Sequence, residues 1–525
     1  MKSNLHGSII NRRRFIQSAS LGTASLIVPK NKHDNLSLNE ALTMMPHAPV
    51  ENNHDKPPIN IKLNIKPVFG QRIHDSAYGG PCRPQPMDQM TPEAETKQFN
   101  EGSERFFKTV RDNLSESAIL LEPLPVVLYR DYRLNEKGDI IDMGVWEKIN
   151  NEISDIDLFL TNYRIQGLET YKKPTAMVGN FSGNLDWISY LRNNNVEAFA
   201  PYDWDEMRYL IKLLQVRKAM QSTKILVVTD RTGKPPVAVL TSGNLDALKE
   251  MYGVDHQYVS YKEFFSEMDS ISLNSESQKE ARNTQNKLIS NAQDVFMDKD
   301  KILNDVNFYL TAKSVMKRYN CNAFSMECFE LCGSRIAAER KITPCLCNVL
   351  LRDEGYGSCC EGDINALFTA ITFMYLTQKS VYMGNTSYIA SENRLSISHD
   401  AAGLKMKGYD KSELPFEIQH FTDKSAGGFG TTLRYDFSKD KEQVVTISRS
   451  NPFRRKIMLA KGKIINGIGF RQTGCTLGIN IEVPNVKELY HRGSDIGNHL
   501  VVVYGDYMQE MRDLAPIMNY EVLET

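Results

Sequence analysis

The sequence predicts an α/β protein: two parallel-sheet segments, then an antiparallel β segment. Three observations lead there. Short apolar runs ended by turn residues, such as Leu158-Phe159-Leu160-Thr161 and Lys224-Ile225-Leu226-Val227-Val228-Thr229, read as strands buried on both faces. Helical stripes lie between such runs, carried by Phe99, Phe106, Phe107 and Val110 in one and by Met207, Leu210, Ile211 and Leu214 in another. From residue 379 onward the apolar period falls to two, and turn residues separate short alternating runs. A chain of 525 residues exceeds a single core, so about two to four domains are expected.

Composition narrows the function classes. The 63 basic and 64 acidic residues nearly cancel, and 41% of the chain is hydrophobic. That balance lacks the basic excess of a nucleic-acid binder. No apolar run reaches the roughly eighteen residues of a spanning helix. Neither nucleic acid nor membrane is an expected partner.

The N-terminus has its own signature. Asn11-Arg12-Arg13-Arg14-Phe15-Ile16-Gln17 precedes a weakly apolar stretch ending at Pro29. Paired arginines ahead of apolar residues resemble a twin-arginine export signal, which implies a periplasmic or exported protein. That route carries folded chains, which suits a metal loaded beforehand. Residues 1–30 are assigned to the signal and 31–58, rich in Asn, His, Pro and Lys, to a linker.

The first α/β domain is expected over 59–173. Ile59-Asn60-Ile61-Lys62-Leu63-Asn64-Ile65 alternates as a strand does, and Thr91-Pro92-Glu93 opens a helix with a cap, a first-turn proline and an acid. The second is expected over 174–378, with strands at 174–179 and 224–229, long polar helices across the glycine-free stretch 274–320, and a strand at 322–326. Thr343-Pro344-Cys345-Leu346-Cys347-Asn348-Val349-Leu350 is a further candidate strand. No Gly-x-Gly-x-x-Gly and no phosphate loop occurs, so no nucleotide is expected. The third domain, 379–525, reads as an antiparallel sheet or barrel with strands near 381–383, 394–398, 416–421, 432–437, 443–448, 456–460, 474–482 and 499–504. Gly427-Gly428-Phe429-Gly430 reads as a loop whose one aromatic either walls a sugar site or is an ordinary hairpin residue.

The candidate site centres on Cys359-Cys360-Glu361-Gly362-Asp363. Glu361 and Asp363 precede an apolar helical run from Leu367 to Leu376, near the positive end of a helix dipole. With His399 and His499 they make a donor set suited to a divalent transition metal. Glu327 and Glu330 follow a predicted parallel strand, the edge where ligands bind in open α/β sheets. A site joining Glu361 to the histidines falls where the second and third segments meet. The nine cysteines lack zinc-ribbon spacing and read mostly as small buried hydrophobes, with one disulfide left open.

The residues Pro344-Cys345-Leu346, Asp353-Glu354-Gly355, Cys360-Glu361-Gly362-Asp363, Met383-Gly384-Asn385, Ser398-His399 and Gly497-Asn498-His499 resemble the L-fucose and L-arabinose isomerase superfamily. The resemblance spans roughly 59–525, with its specific motifs inside 344–499. It implies two Rossmann-like parallel-sheet domains and a C-terminal β-barrel, a divalent cation, usually manganese, and a small-molecule sugar substrate. It also implies a homo-oligomer, trimeric or hexameric. Glu361, His399 and His499 match metal ligands. Where the family has a second metal carboxylate this chain has Asn385, and the next acid is Glu392. Asn385 is therefore expected as a fourth metal ligand, since an amide oxygen can bind a hard cation, but it adds no charge and cannot act as a base. The implied reaction is aldose–ketose isomerisation through an ene-diol, with Glu361 as ligand and base and Asp363 or Glu330 as the spare acid. Two other readings stay open: an exported sugar-binding protein without turnover, and a different metal-assisted enzyme on a sugar or sugar acid, served by Arg335, Arg471 or Arg492.

Overall fold

The structure, a computed structural model, describes residues 56–76, 91–130, 139–230 and 244–525. The export signal and nearly all of the linker expected over 1–58 lie outside them. The chain divides into two compact units, one holding residues 62–215 and the other 216–525 with the short stretch up to Ile61. Among the described residues no helix is long and apolar enough to cross a membrane.

In the first unit the strands are β1 (Asn64–His74), β2 (Ile119–Leu120), β3 (Leu124–Arg130), β4 (Leu158–Thr161), β5 (Thr175–Ala176) and β6 (Ala198–Phe199). All pair in parallel, in the order β2-β1-β4-β5-β6, with β3 also on β1. All four residues of β4 are buried, which is why its run is uninterruptedly apolar. Val68, Leu124, Val126, Leu128 and Phe159 pack into one core with Ile149 of the helix Met143–Glu152. The helix Pro92–Leu114 starts as its sequence dictates, with Thr91 accepting from the Ala94 N–H at 3.3 Å and Pro92 in the first turn.

Two boundaries differ from expectation. The first strand begins at Asn64, because Pro57 and Pro58 fix the backbone and remove donors, leaving a 3-10 turn over Pro58–Asn60. The first unit also runs past 173. The run at 174–179 supplies β5, which pairs with β4 and so belongs to the first sheet.

In the second unit a four-stranded parallel sheet has the order β10-β9-β7-β8, from β7 (Lys224–Val228), β8 (Asp255–Val259), β9 (Ala323–Met326) and β10 (Gly357–Cys359). The run at 343–350 is not a strand but part of the helix Cys345–Asp353, buried along nearly its whole length. A short run apolar on every side carries no period to separate the two. The long polar stretch gives the helices Ser275–Asn291 and Lys299–Arg318.

A third sheet has seven strands, mostly antiparallel, in the order β15-β18-β11-β12-β17-β16-β19. They are β11 (Tyr382–Ile389), β12 (Arg394–Ser398), β15 (Val444–Asn451), β16 (Lys456–Ile468), β17 (Gly478–Glu482), β18 (Leu500–Tyr504) and β19 (Glu521–Glu524), the last parallel to β16. β15 also pairs with β16. A separate hairpin joins β13 (Glu417–His420) to β14 (Thr431–Arg434). The glycine-rich loop folds Phe429 inward, where it is buried, so it walls no open site.

Asp305, on the helix Lys299–Arg318, is fully buried and accepts the N–H groups of Thr343 at 2.8 Å and Thr431 at 2.6 Å. Burial raises its carboxyl to about 7 against those two hydrogen bonds. The folded chain therefore keeps a proton that the unfolded chain releases near pH 4, so this group's contribution to stability falls as pH rises from 4 to 7. Three units correspond to about 4 kcal/mol at most. Asp305→Asn gives up one acceptor but cannot ionise. Its stability deficit against wild type is expected to shrink across that window, and urea melts at pH 5 and 8 measure it.

Candidate metal centre

β10 ends at Cys359, and the chain turns sharply before the helix Ile364–Thr377. Glu361 sits in that turn with φ 63°, followed by Gly362 at 65°. A glutamate pays roughly 1–2 kcal/mol for the left-handed conformation that glycine adopts freely. His499, just before β18, has φ 61°. Strained backbone at two residues of one cluster is characteristic of a functional site.

The two residues meet His399, which leaves the end of β12. One ligand atom from each of Glu361, His399 and His499 lies within 4.8 Å of the others, and all three side chains are buried. Glu361 Oε1 is 3.1 Å from His399 Nε2, and Glu361 Oε2 is 3.3 Å from His499 Nε2. The second pair is not aligned as a hydrogen bond, so both atoms lack a hydrogen-bond partner. Buried polar atoms normally find one.

His499 is set up as a ligand. Its Nδ1 lies 2.9 Å from Asp363 Oδ2. That contact places the proton on Nδ1 and leaves the Nε2 lone pair facing Glu361. Asp363 is itself held. Arg449 grips it with two hydrogen bonds, Nη1 to Oδ2 at 2.9 Å and Nη2 to Oδ1 at 3.1 Å, and Oδ1 also caps the helix through the Ala366 N–H at 2.9 Å. Arg449 is fixed in turn by the carbonyls of Ile496 and His499. Burial alone would raise the Asp363 carboxyl, but Arg449 and His499 hold it below the ordinary range. A carboxylate so committed orients a ligand rather than moving a proton.

His399 is arranged differently. Its Nδ1 accepts the Asp400 N–H at 3.0 Å, so the neutral ring carries its proton on Nε2 and donates it to Glu361. Holding an ion through Nε2 requires that proton to move to Nδ1 and the Asp400 N–H to turn aside. Burial lowers the pKa of His399 and His499 lowers it further, while Glu361 works against both, so the ring stays neutral as a ligand must. Two imidazoles and a carboxylate suit manganese, iron, cobalt or zinc better than calcium or magnesium.

The other expected site residues have partners of their own or are exposed. Asn385 lies on β11 beside Ser398, and its Oδ1 accepts from Asn498 Nδ2 at 2.6 Å. Glu327 is buried at the end of β9 with Thr229 donating to it at 2.7 Å, and Glu330 is half-buried on the next helical turn. Neither joins the cluster. Arg335, Arg471 and Arg492 are surface residues, the last two paired with Glu417 and Glu488.

Sequence reasoning missed Arg449, Arg434 and Asp400. Arg434 is fully buried, 2.9 Å from Asp400 Oδ1 through Nη2, and donates to the carbonyls of Gly469 and Gly474. The Asp400 contact is close but off-line, so neither carboxylate oxygen has a hydrogen bond. Burial raises the Asp400 carboxyl to about 7, with Arg434 opposing. The available cue was an arginine inside a strand that otherwise reads as buried, at 434 and at 449. The eight described cysteines are all free thiols, and most are buried. Cys328, Cys345, Cys360 and Cys475 lie close enough for their charges to interact, and Cys328 and Cys475 also lie close enough to Glu361 for its charge to act on them. Burial and this proximity push Cys328, Cys345 and Cys360 upward, which keeps them as thiols.

No protein-family model matches the chain, and no curated protein matches it.

Proposed function

We propose that the chain binds one divalent transition metal through Glu361, His399 and His499 and interconverts an aldose and a ketose. The observation that carries the reading is the buried cluster itself, with Glu361 Oε2 and His499 Nε2 facing each other unpartnered and His499 oriented by Asp363 and Arg449. The reaction class comes from the resemblance to the L-fucose and L-arabinose isomerases. A bound cation would supply Lewis acidity toward two adjacent sugar oxygens. Glu361, His399 and His499 would hold it, Asp363 keeps the His499 imidazole in the right tautomer, and Arg449 balances the charge of Asp363. Moving a proton between C1 and C2 needs a further carboxylate. Asp363 is held by both Arg449 and His499, so we assign that task to Asp400, which follows His399, is buried and is engaged only by Arg434 at 2.9 Å through Oδ1.

The ring of pairings from β15 through β18, β11, β12, β17 and β16 back to β15 supports reading the third sheet as a closed barrel. Manganese is the favoured ion and export the favoured destination, the latter on Arg12 to Pro29 alone. Sugar binding without turnover is the second reading, favoured by Asn385, whose amide is engaged with Asn498.

The test is to load the protein with Mn²⁺, measure bound metal, and incubate it with pentoses and 6-deoxyhexoses in D₂O. We expect about one manganese per chain, ketose formation and deuterium entering the transferred position. Asp400→Asn should lose the exchange and keep the metal. Metal without exchange leaves the binding reading, and no metal uptake overturns the isomerase reading and likewise leaves sugar binding.

A further inference from the structure

The first unit has a cavity that the metal-centre reading does not use. Its chain runs from β1 to β2 and β3 on one side, then to β4, β5 and β6 on the other. The strand order therefore reverses between β1 and β4. In open parallel sheets, ligands bind outside the carboxyl ends of the strands at such a reversal. A cavity of about 1060 Å³ opens there, reached by Arg72 at the end of β1, Tyr163 beyond β4, Asn180 beyond β5 and Tyr202 beyond β6. Every described residue lining it belongs to this unit.

We propose that this cavity is a binding site for a neutral oligosaccharide, formed within residues 62–215 and independent of the metal centre. Charge is the first argument. Among the described lining residues the ionised side chains are Arg72, Arg130 and Arg164 and Asp139, Asp186 and Asp203, three against three. Asp139 takes two 2.9 Å hydrogen bonds from Arg72 and lies 3.5 Å from Arg130. An anion would meet the aspartates and a cation the arginines. A hydroxyl, which both donates and accepts, is served by such donor–acceptor pairs.

Aromatic surface is the second argument. Phe181 is 78% exposed and Tyr202 is 54% exposed at this cavity, although burial of such rings is strongly favourable. Beside them Trp187 and Tyr190 stack at 5.1 Å between centroids. Flat aromatic faces pack against the C–H faces of sugar rings while the hydroxyls reach the polar rim. Size is the third. The volume sits at the upper end of the roughly 300–1,000 Å³ typical of small-molecule sites, enough for two or three sugar rings.

The chain's three tryptophans make the test specific. Trp146, Trp187 and Trp204 all lie in the first unit, and the last two line the cavity. Full-length protein would be titrated with maltotriose, cellotriose, raffinose and chitotriose, with glucose 6-phosphate and digalacturonate as anionic comparators. Tryptophan emission and calorimetry would be read in parallel. We expect saturable binding of at least one neutral oligosaccharide, retained in Glu361→Gln. Phe181→Ser and Tyr202→Ala, both at exposed positions and each checked for an unchanged circular dichroism spectrum, should weaken it tenfold or more. Binding of anions alone, of nothing in the panel, binding unaffected by both ring substitutions, or binding lost in Glu361→Gln would overturn the proposal. The last outcome would assign the sugar to the metal centre instead.

Discussion

Glu361→Gln is expected to strip the metal and leave the fold standing. Wild-type protein supplied with Mn²⁺ at a hundredfold excess over its Kd should gain about 2.7 kcal/mol of stability. The variant should gain none, and elemental analysis should find no bound ion. Without metal the difference should vanish or reverse. Glu361 is 4% exposed with Oε2 unpartnered, and a buried carboxylate carries a desolvation cost that an amide largely avoids. Thermal melts of both proteins, with and without Mn²⁺, separate the two effects. A Glu361→Gln chain that still binds one metal would remove Glu361 from the site.

Arg449→Met should be the most damaging single change to stability. Arg449 and Asp363 are both fully buried, and losing one partner leaves a buried charge unpaired at about 3–5 kcal/mol. That is a large share of the roughly 5–15 kcal/mol by which domains are stable. The double change Arg449→Met with Asp363→Asn should recover much of the loss, because both charges go together. It should not recover the metal site. Without the Asp363 carboxylate the His499 tautomer is no longer fixed, and affinity should fall by about 10–100-fold. Urea midpoints and metal titrations on the two variants read these effects separately. Less than about 1 kcal/mol lost in Arg449→Met would mean that the pair is solvated.

Much of the architecture could be read along the chain. β4, β7 and β9 stood out because a strand buried on both faces is apolar throughout, and β12 because a half-exposed one alternates. The helix Pro92–Leu114 was announced by its own cap. Errors came where local pattern is degenerate. Residues 343–350 are buried almost throughout and mostly apolar, and 174–179 carry nothing that says which sheet their strand joins.

The site divides the same way. Residue type and spacing were enough to single out Glu361, Asp363, His399 and His499, because few side chains ligate metals and these stand beside turns and strand ends. Their division of labour was not legible. Asp363 becomes an orienting group only because Arg449, 86 residues later, reaches it. The tautomers of the two histidines depend on Asp363 in one case and the Asp400 N–H in the other. The sequence by itself determined the donor chemistry and the order of parallel and antiparallel segments, both properties of side-chain type and local period. Tertiary structure decided which arginines are buried, which carboxylate is spent, and where the reversal of the first sheet leaves a cavity, since each depends on contacts between residues far apart in the chain.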